Sequence, residues 1–277
     1  MPESATGPVL EIEDLSVHRE KQILFDVSWT VNPGEHWVIL GPNGCGKTSL
    51  LSVLMGYLTP SRGKVTMTGR ANALAHKGQR WDEWRKRIGF VSSTISRMIE
   101  GSEPAFDVVL AGRYAMINFW QQKTNPDDVA AAWEVIDQIN SRKLADRPWA
   151  YLSQGERQRM LIGRALMLEQ LDLLVLDEPC AGLDPVAREQ FLVFIQNLAS
   201  DARFQSLMLV THHVEEIIPA ITHVLILKDG RVLASGPKEE ILTSEILSEA
   251  FDGDVKLSQK EDGRYDLTLL SHRPNPV

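Results

Sequence analysis

Eight residues constrain this chain more than any others. Gly41-Pro42-Asn43-Gly44-Cys45-Gly46-Lys47-Thr48 follows an apolar run, His36 to Leu40, and precedes a helical pattern from Lys47 to Met55. The octet is the phosphate-loop pattern G-x-x-x-x-G-K-[ST], which average residue usage would produce by chance in such a chain with a frequency of about 0.01. Its context is also what the physics requires. Glycines let successive backbone N–H groups turn inward around an anion, and a helix beginning there adds the positive end of its dipole. In such a loop Lys47 reaches the β- and γ-phosphates of a nucleotide, and the Thr48 hydroxyl holds Mg²⁺, with Ser49 in the same first turn. A tight strand-to-helix turn with a surface lysine is the bland alternative.

The rest of the chain supports an α/β fold around this loop. Its 277 residues are 43% hydrophobic and 24% charged, a composition that excludes wholesale disorder. Strand-length apolar runs recur at Lys64–Thr68, Ile88–Val91, Leu173–Asp177, Leu207–Thr211 and His223–Lys228. They alternate with longer helical patterns, which predicts a mainly parallel sheet flanked by helices. The segment from Val9 to Val31 alternates polar and apolar residues and predicts antiparallel strands beside that sheet. From about residue 92 to 168 the pattern turns helical and reads as an insert. Within it, Asn125 is the expected N-cap of a helix opened by Pro126, and another helix runs from Gly155 to Leu168. After Gly236-Pro237 come two short helical patterns and a polar hairpin turning at Asp262-Gly263, then a tail, SHRPNPV, expected to fray.

Other features exclude rather than assign. No run approaches the roughly 18 apolar residues of a membrane span, and MPESATG carries no basic-then-apolar leader pattern. Two cysteines, Cys45 and Cys180, predict no disulfide framework and a reducing compartment. The formal net charge of −8 argues against nucleic acid as a partner. The seven histidines form no H-x-x-x-H pair, and Trp81 and Trp84, three residues apart, read as helix packing.

Two further motifs compose a site with the loop. In Leu173-Leu174-Val175-Leu176-Asp177-Glu178-Pro179, four apolar residues make a central strand with two acids at its carboxyl end. That end is where open α/β sheets bind ligands. Asp177 is expected to complete the Mg²⁺ shell through water, and Glu178 to polarise the water that attacks the γ-phosphate. Between loop and acids stands Leu152-Ser153-Gln154-Gly155-Glu156-Arg157-Gln158-Arg159 at a helix start. Taken alone, Ser153 with Glu156 three residues on is a capping box, while the Ser153 hydroxyl and Gly155 N–H also make an anion site.

In their order and wording these motifs resemble those of ATP-binding-cassette (ABC) ATPases. LSQGERQR is similar to the family's LSGGQ signature, Ala181-Gly182-Leu183-Asp184 to its D-loop, and His212 in Thr211-His212-His213 to its switch histidine. The resemblance covers about Val9 to Phe251. It implies a P-loop NTPase fold of RecA-like type, with a mainly parallel core, an N-terminal antiparallel β subdomain and a helical insert. It divides the chain into an ATP-binding domain at 1–240, with the insert at about 92–168, and an extension at 241–277. The implied activity is hydrolysis of Mg·ATP by Lys47, Glu178 and His212. The implied assembly is a head-to-tail homodimer or pair of like cassettes, with each ATP between Gly41–Ser49 of one copy and Ser153, Gln154, Gly155 and Glu156 of the other. With no span of its own, the chain would energise separate integral membrane subunits, docked through the insert around Ser93 to Tyr114 on the cytoplasmic face of the membrane. The rival is a soluble, non-transport ABC ATPase acting as a nucleotide-driven dimerisation switch.

The sequence departs from the family pattern twice. Where an aromatic residue usually stacks on adenine, SVHREKQIL offers His18 or Arg19, either of which has a planar π-system. Where a glutamine usually ends the strand before the insert, Ser92-Ser93 stands instead. The Ser93 hydroxyl can meet Mg²⁺ or its water, or the pair can simply cap the chain.

Overall fold

Short apolar runs become buried strands and longer runs at helical spacing become helices, in alternating order. The computed structural model describes residues 7–68, 84–120 and 123–272. In chain order the described elements begin with β1 (Leu10–His18), β2 (Gln22–Val31), β3 (Trp37–Leu40), α1 (Lys47–Leu54), β4 (Arg62–Thr66) and β5 (Ile88–Val91). The helical stretch follows, with α2 (Ser93–Met98), α3 (Ala105–Ala111), α4 (Pro126–Gln138) and α5 (Gln154–Leu166). Then come β6 (Leu173–Asp177), α6 (Pro185–Leu198), β7 (Ser206–Val210), β8 (His223–Lys228), β9 (Arg231–Pro237), α7 (Lys238–Ile241), α8 (Ser244–Ala250), β10 (Gly253–Gln259) and β11 (Tyr265–His272). The chain divides into two compact units, residues 1–81 with 205–277 and residues 82–204.

In the first unit the alternating amino end forms the expected antiparallel sheet, in the order β2-β1-β4. Its β2 buries Leu24, Val27, Trp29 and Val31 and turns Asp26, Ser28 and Thr30 outward. All four residues of β3 are buried, because β3 is flanked in parallel by β7 on one side and β8 on the other. Strand β9 adds antiparallel to β8 through a turn at Asp229-Gly230, both at positive φ, as a tight right-twisted hairpin requires. The carboxyl-terminal hairpin β10-β11 turns where Asp262-Gly263 predicts.

In the second unit β5 and β6 run parallel, in register from Ile88 opposite Leu173 to Val91 opposite Leu176. An ion pair fixes where that register starts. Arg87 Nε donates to Asp172 Oδ2 at 2.6 Å, with both side chains buried, and the Arg87 carbonyl accepts from the N–H groups of Asp172 and Leu173. Helix α4 opens as its sequence predicts, the Asn125 side chain accepting from Asp127 N–H with Pro126 in the first position. Helix α5 packs against α3 so closely that a Cβ on Gly112 would lie 2.0 Å from the Arg164 carbonyl oxygen.

Boundaries shift by one or two residues from those expected. Strand β7 runs from Ser206 to Val210, and the Thr211 hydroxyl that follows donates to Glu216. Strand β4 begins at Arg62, paired with Ser16, and ends at Thr66. Trp84 is buried; Trp81 and residues 273–277 lie outside the described residues. No described helix is long and apolar enough to cross a membrane.

Candidate nucleotide-binding site

In the first unit, β3 delivers the glycine-rich loop and backbone geometry shapes it. Gly41 stands at φ 150, where a Cβ would lie 2.2 Å from the Leu227 carbonyl oxygen, so only glycine fits there. Gly46 is the left-handed N-cap of α1 and brings no side chain to cap with, so the first N–H groups of the helix have no side-chain cap, the kind of helix end that suits an anion. Lys47 is 7% exposed and lies along the loop, its Nζ donating to the Gly41 carbonyl at 2.6 Å and the Pro42 carbonyl at 3.1 Å. Asn43, Gly44 and the Thr48 side chain are exposed, and Ser49 is half-buried behind them. Burial pushes the Cys45 thiol pKa above its usual value against the opposing pull of Lys47, so the thiol brings no negative charge to the cradle.

Two neighbours complete this half. Because Ile39 of β3 pairs with Val210 of β7, and Thr211 N–H donates to Ile39, the loop from Gly41 and the residue His212 leave adjacent parallel strands at the same carboxyl end. His212 is half-buried, its ring centroid 4.0 Å from that of His213. The second neighbour is Gly230, whose site role sequence reasoning missed. Its N–H donates to the Cys45 carbonyl at 3.0 Å, and its own carbonyl accepts from Phe25 N–H. A Cβ at Gly230 would lie 2.1 Å from the Ile23 carbonyl oxygen. The Asp-Gly dipeptide signals a turn, but not that the turn braces the loop. His18 and Arg19 are exposed at the β1-β2 connection, His18 N–H donating to Ser61 Oγ and Arg19 N–H to the Lys21 carbonyl.

The second unit holds the acids and the serines. Ser92 follows Val91 as Asp177 follows Leu176, so the parallel register brings both pairs off the same strand ends. Glu178 stands at φ 45, left-handed backbone that a glutamate rarely adopts and that costs free energy. Both serines have partners within α2. Ser92 Oγ accepts from Ile95 N–H as the N-cap, and Ser93 Oγ accepts from Arg97 Nη2 at 3.2 Å. Farther along the unit, Ser153 and Glu156 form the full capping box: Ser153 N–H donates to Glu156 Oε2 at 2.7 Å and Glu156 N–H to Ser153 Oγ at 3.4 Å. A Cβ on Gly155 would meet Leu183 at 3.6 Å and a Cβ on Gly182 would lie 4.0 Å from Gln154, so the 181–184 loop rests against this helix start. Asp184 caps α6 through Val186 and Ala187.

Sequence-predicted residues therefore gather in three places: Gly41 to Ser49 with His212 in the first unit, Ser92, Ser93, Asp177 and Glu178 in the second, and Ser153 to Glu156 with the 181–184 loop, also in the second. Loops and strand ends of this kind recur on many folds, and comparison with known proteins identifies which one this is. The family model described as ABC transporter matches residues 24–181, more than half of the chain. The ABC transporter ATP-binding protein YlmA of Bacillus subtilis is 37% identical over 255 residues, covering 92% of this chain and 95% of that protein. The cobalt import ATP-binding protein CbiO of Rhodobacter capsulatus is 33% identical over 220 residues, 79% of this chain and 75% of its own. Among solved structures, a chain from an inward-facing ABC transporter described as of metal-chelate type superposes with a TM-score of 0.75 at 26% identity, covering 98% of this chain and all of that one. The ATP-binding cassette MJ0796, a dimer bound to ADP and Pi, shares the fold at a TM-score of 0.66 and 21% identity, over 82% of this chain and 98% of its own. On the family match and these relatives, the chain belongs to the ABC transporter family, as an ATP-binding subunit that hydrolyses ATP to energise transport.

Proposed function

We propose that Gly41 to Ser49 cradles the phosphates of ATP, with Lys47 facing the β- and γ-phosphates, and that Glu178 is the base that orients the attacking water. In this reading His212 meets the γ-phosphate from the neighbouring strand, and His18 or Arg19 lies against the adenine. The observation that carries it is the pairing of Ile39 with Val210, which sends the phosphate loop and His212 off adjacent strands at one end. The positive φ of Glu178 adds support, since backbone strain of this kind clusters at functional residues.

The donor chemistry also suits Mg²⁺. Thr48 and Asp177 supply oxygens, and Mg²⁺ takes one or two protein oxygens, keeping the rest of its shell for water and phosphate. Among the described residues no cluster of three or more His, Cys, Asp or Glu forms the alternative, an all-protein cage. When bound, the ion neutralises charge that develops on the transferring phosphoryl group. Ser93 is proposed to meet the ion or its water as well, its hydroxyl keeping a second lone pair beside the one that accepts from the Arg97 guanidinium.

The signature-like segment Ser153 to Glu156 supports an assembly of two copies. Two copies are proposed to associate head-to-tail with ATP, Ser153, Gln154, Gly155 and Glu156 of one copy facing the nucleotide held at Lys47 of the other. Residues 1–240 then act as the ATP-binding domain, with the insert at about 92–168 docking integral membrane subunits and 241–277 as an extension. Met98 at 55% and Trp120 at 68% exposure give that insert apolar surface to offer. The chain would sit on the cytoplasmic face of the membrane, without nucleic acid. Copurification from detergent-solubilised membranes, with ATP turnover measured as phosphate release, tests this reading: no membrane protein bound despite full turnover would favour the non-transport switch.

A further inference from the structure

The carboxyl-terminal hairpin β10-β11 lies outside the residues that the family model matches, and the proposed chemistry makes no use of it. Its turn is stiff. Gly263, at φ 80, donates from N–H to the Lys260 carbonyl, Lys260 N–H donates to the Arg264 carbonyl at 2.8 Å, and Arg264 N–H donates to Asp262 Oδ1. Tyr265, next in sequence, is buried. From this turn Arg264 Nη2 donates to the backbone carbonyl of Glu215 at 2.6 Å, and a Cβ on Gly263 would touch Pro219 at 3.5 Å. The hairpin thus rests on the 3₁₀ turn Val214–Glu216, which begins two residues after His212.

The same short segment is closed from its other side. Thr211 is tied to β3 by its N–H, its hydroxyl donates to Glu216 Oε2 at 2.6 Å, and that hydroxyl accepts from His213 N–H at 3.1 Å. Thr211 and Glu216 are both buried. His212 therefore sits in a loop pinched at its base by Thr211 and Glu216, and the carbonyl next to Glu216 is the one the hairpin grips. A catalytic contact misplaced by about 1 Å can cost on the order of 10²-fold in rate, so a histidine just past a strand end gains from such bracing.

We propose that Arg264 and Glu216 are positioning residues for His212: the hairpin holds the 3₁₀ turn, the turn closes on Thr211, and the imidazole between them is fixed relative to β7. This rests on the reading of His212 as a γ-phosphate contact. The test is steady-state phosphate release by the full chain against ATP concentration, for Arg264→Ala, Arg264→Lys, Glu216→Ala, Glu216→Gln and His212→Ala, and for Arg264→Ala combined with His212→Ala. Losing the Arg264 hydrogen bond is expected to lower kcat about tenfold, since charged hydrogen bonds are the stronger class. KM for ATP should stay within about twofold, the signature of an interaction felt in the transition state. Arg264→Lys and Glu216→Gln, which keep a donor and an acceptor, should recover most of the rate. In the His212→Ala background, Arg264→Ala should cost nothing more, because coupled residues are not additive. Unchanged kcat in Arg264→Ala, or losses that multiply in the double variant, would overturn the proposal. Full turnover in His212→Ala alone would instead overturn the reading of His212, and that single variant shows it independently of the Arg264 series.

Discussion

Removing the guanidinium of Arg87 should destabilise the second unit far more than removing the whole ion pair. Arg87 and Asp172 side chains are only 4% and 2% exposed, and two guanidinium nitrogens, Nε and Nη2, meet the same Asp172 Oδ2. In Arg87→Met the carboxylate keeps its burial but loses the Arg87 guanidinium, and breaking a buried pair from one side costs about 3–5 kcal/mol. In Arg87→Met with Asp172→Leu both charges of this pair are gone, and the cost should fall to about zero, or become a gain of about 1–4 kcal/mol. With a urea slope of about 2 kcal/mol/M, the single variant should lose about 2 M in unfolding midpoint. Urea denaturation followed by far-UV circular dichroism reads all of this. High salt should not change the order, because a pair this buried is screened little. The pair also stands one residue before the β5-β6 register that delivers Asp177 and Glu178, so residual folded Arg87→Met should hydrolyse ATP more slowly. A single-variant cost under about 1 kcal/mol, or a double variant as unstable as the single, would refute the reasoning.

Three more outcomes are expected. Lys47→Ala deletes the cation that lies along the loop and should weaken nucleotide binding about 10- to 100-fold, read by titrating a fluorescent ATP analogue; unchanged affinity would remove the phosphate-loop assignment. Glu178→Gln should keep ATP binding while slowing phosphate release by about 10²–10⁴, and turnover surviving within about threefold would mean that another residue orients the water. Glu178→Gln protein with Mg·ATP should elute from gel filtration as a dimer and the ADP-bound protein as a monomer. Adding Ser153→Arg should abolish that dimer without abolishing ATP binding, and a dimer indifferent to both changes would count against a shared site.

Much of this was legible because it is local. Strands β5, β6 and β8 fall on the apolar runs that predict them, and Asn125 caps α4 as its spacing to Pro126 implies. Ser153 and Glu156 close the capping box that their three-residue spacing announces. What sequence reasoning missed are contacts made through backbone atoms by residues distant in the chain. Arg264 reaches the Glu215 carbonyl 49 positions away, and Gly230 reaches the carbonyl of Cys45. A carbonyl acceptor leaves no residue-type signature, since every residue has one. The positive φ of Glu178 was equally silent, because glycine is the residue that flags such backbone and a glutamate stands there instead. The serine pair stayed ambiguous in sequence because cap and ligand draw on the same hydroxyl; in the structure Ser92 caps and Ser93 meets Arg97.

The position of β3 between β7 and β8 has a consequence for biogenesis. The strand that feeds the phosphate loop is made well before its neighbours, which are encoded far downstream: His36, just before β3, accepts from Leu207 N–H of β7 across 171 residues. At about 5–20 residues per second, the nascent chain carries Trp37-Val38-Ile39-Leu40 without its flanking strands for on the order of 10–30 s. Four consecutive apolar residues awaiting partners for that long are an opening for mispairing with another nascent chain. Chaperone holding of the emerging segment, or a slowed 3′ half of the message, would therefore be expected to alter the yield of folded protein while leaving the finished molecule unchanged.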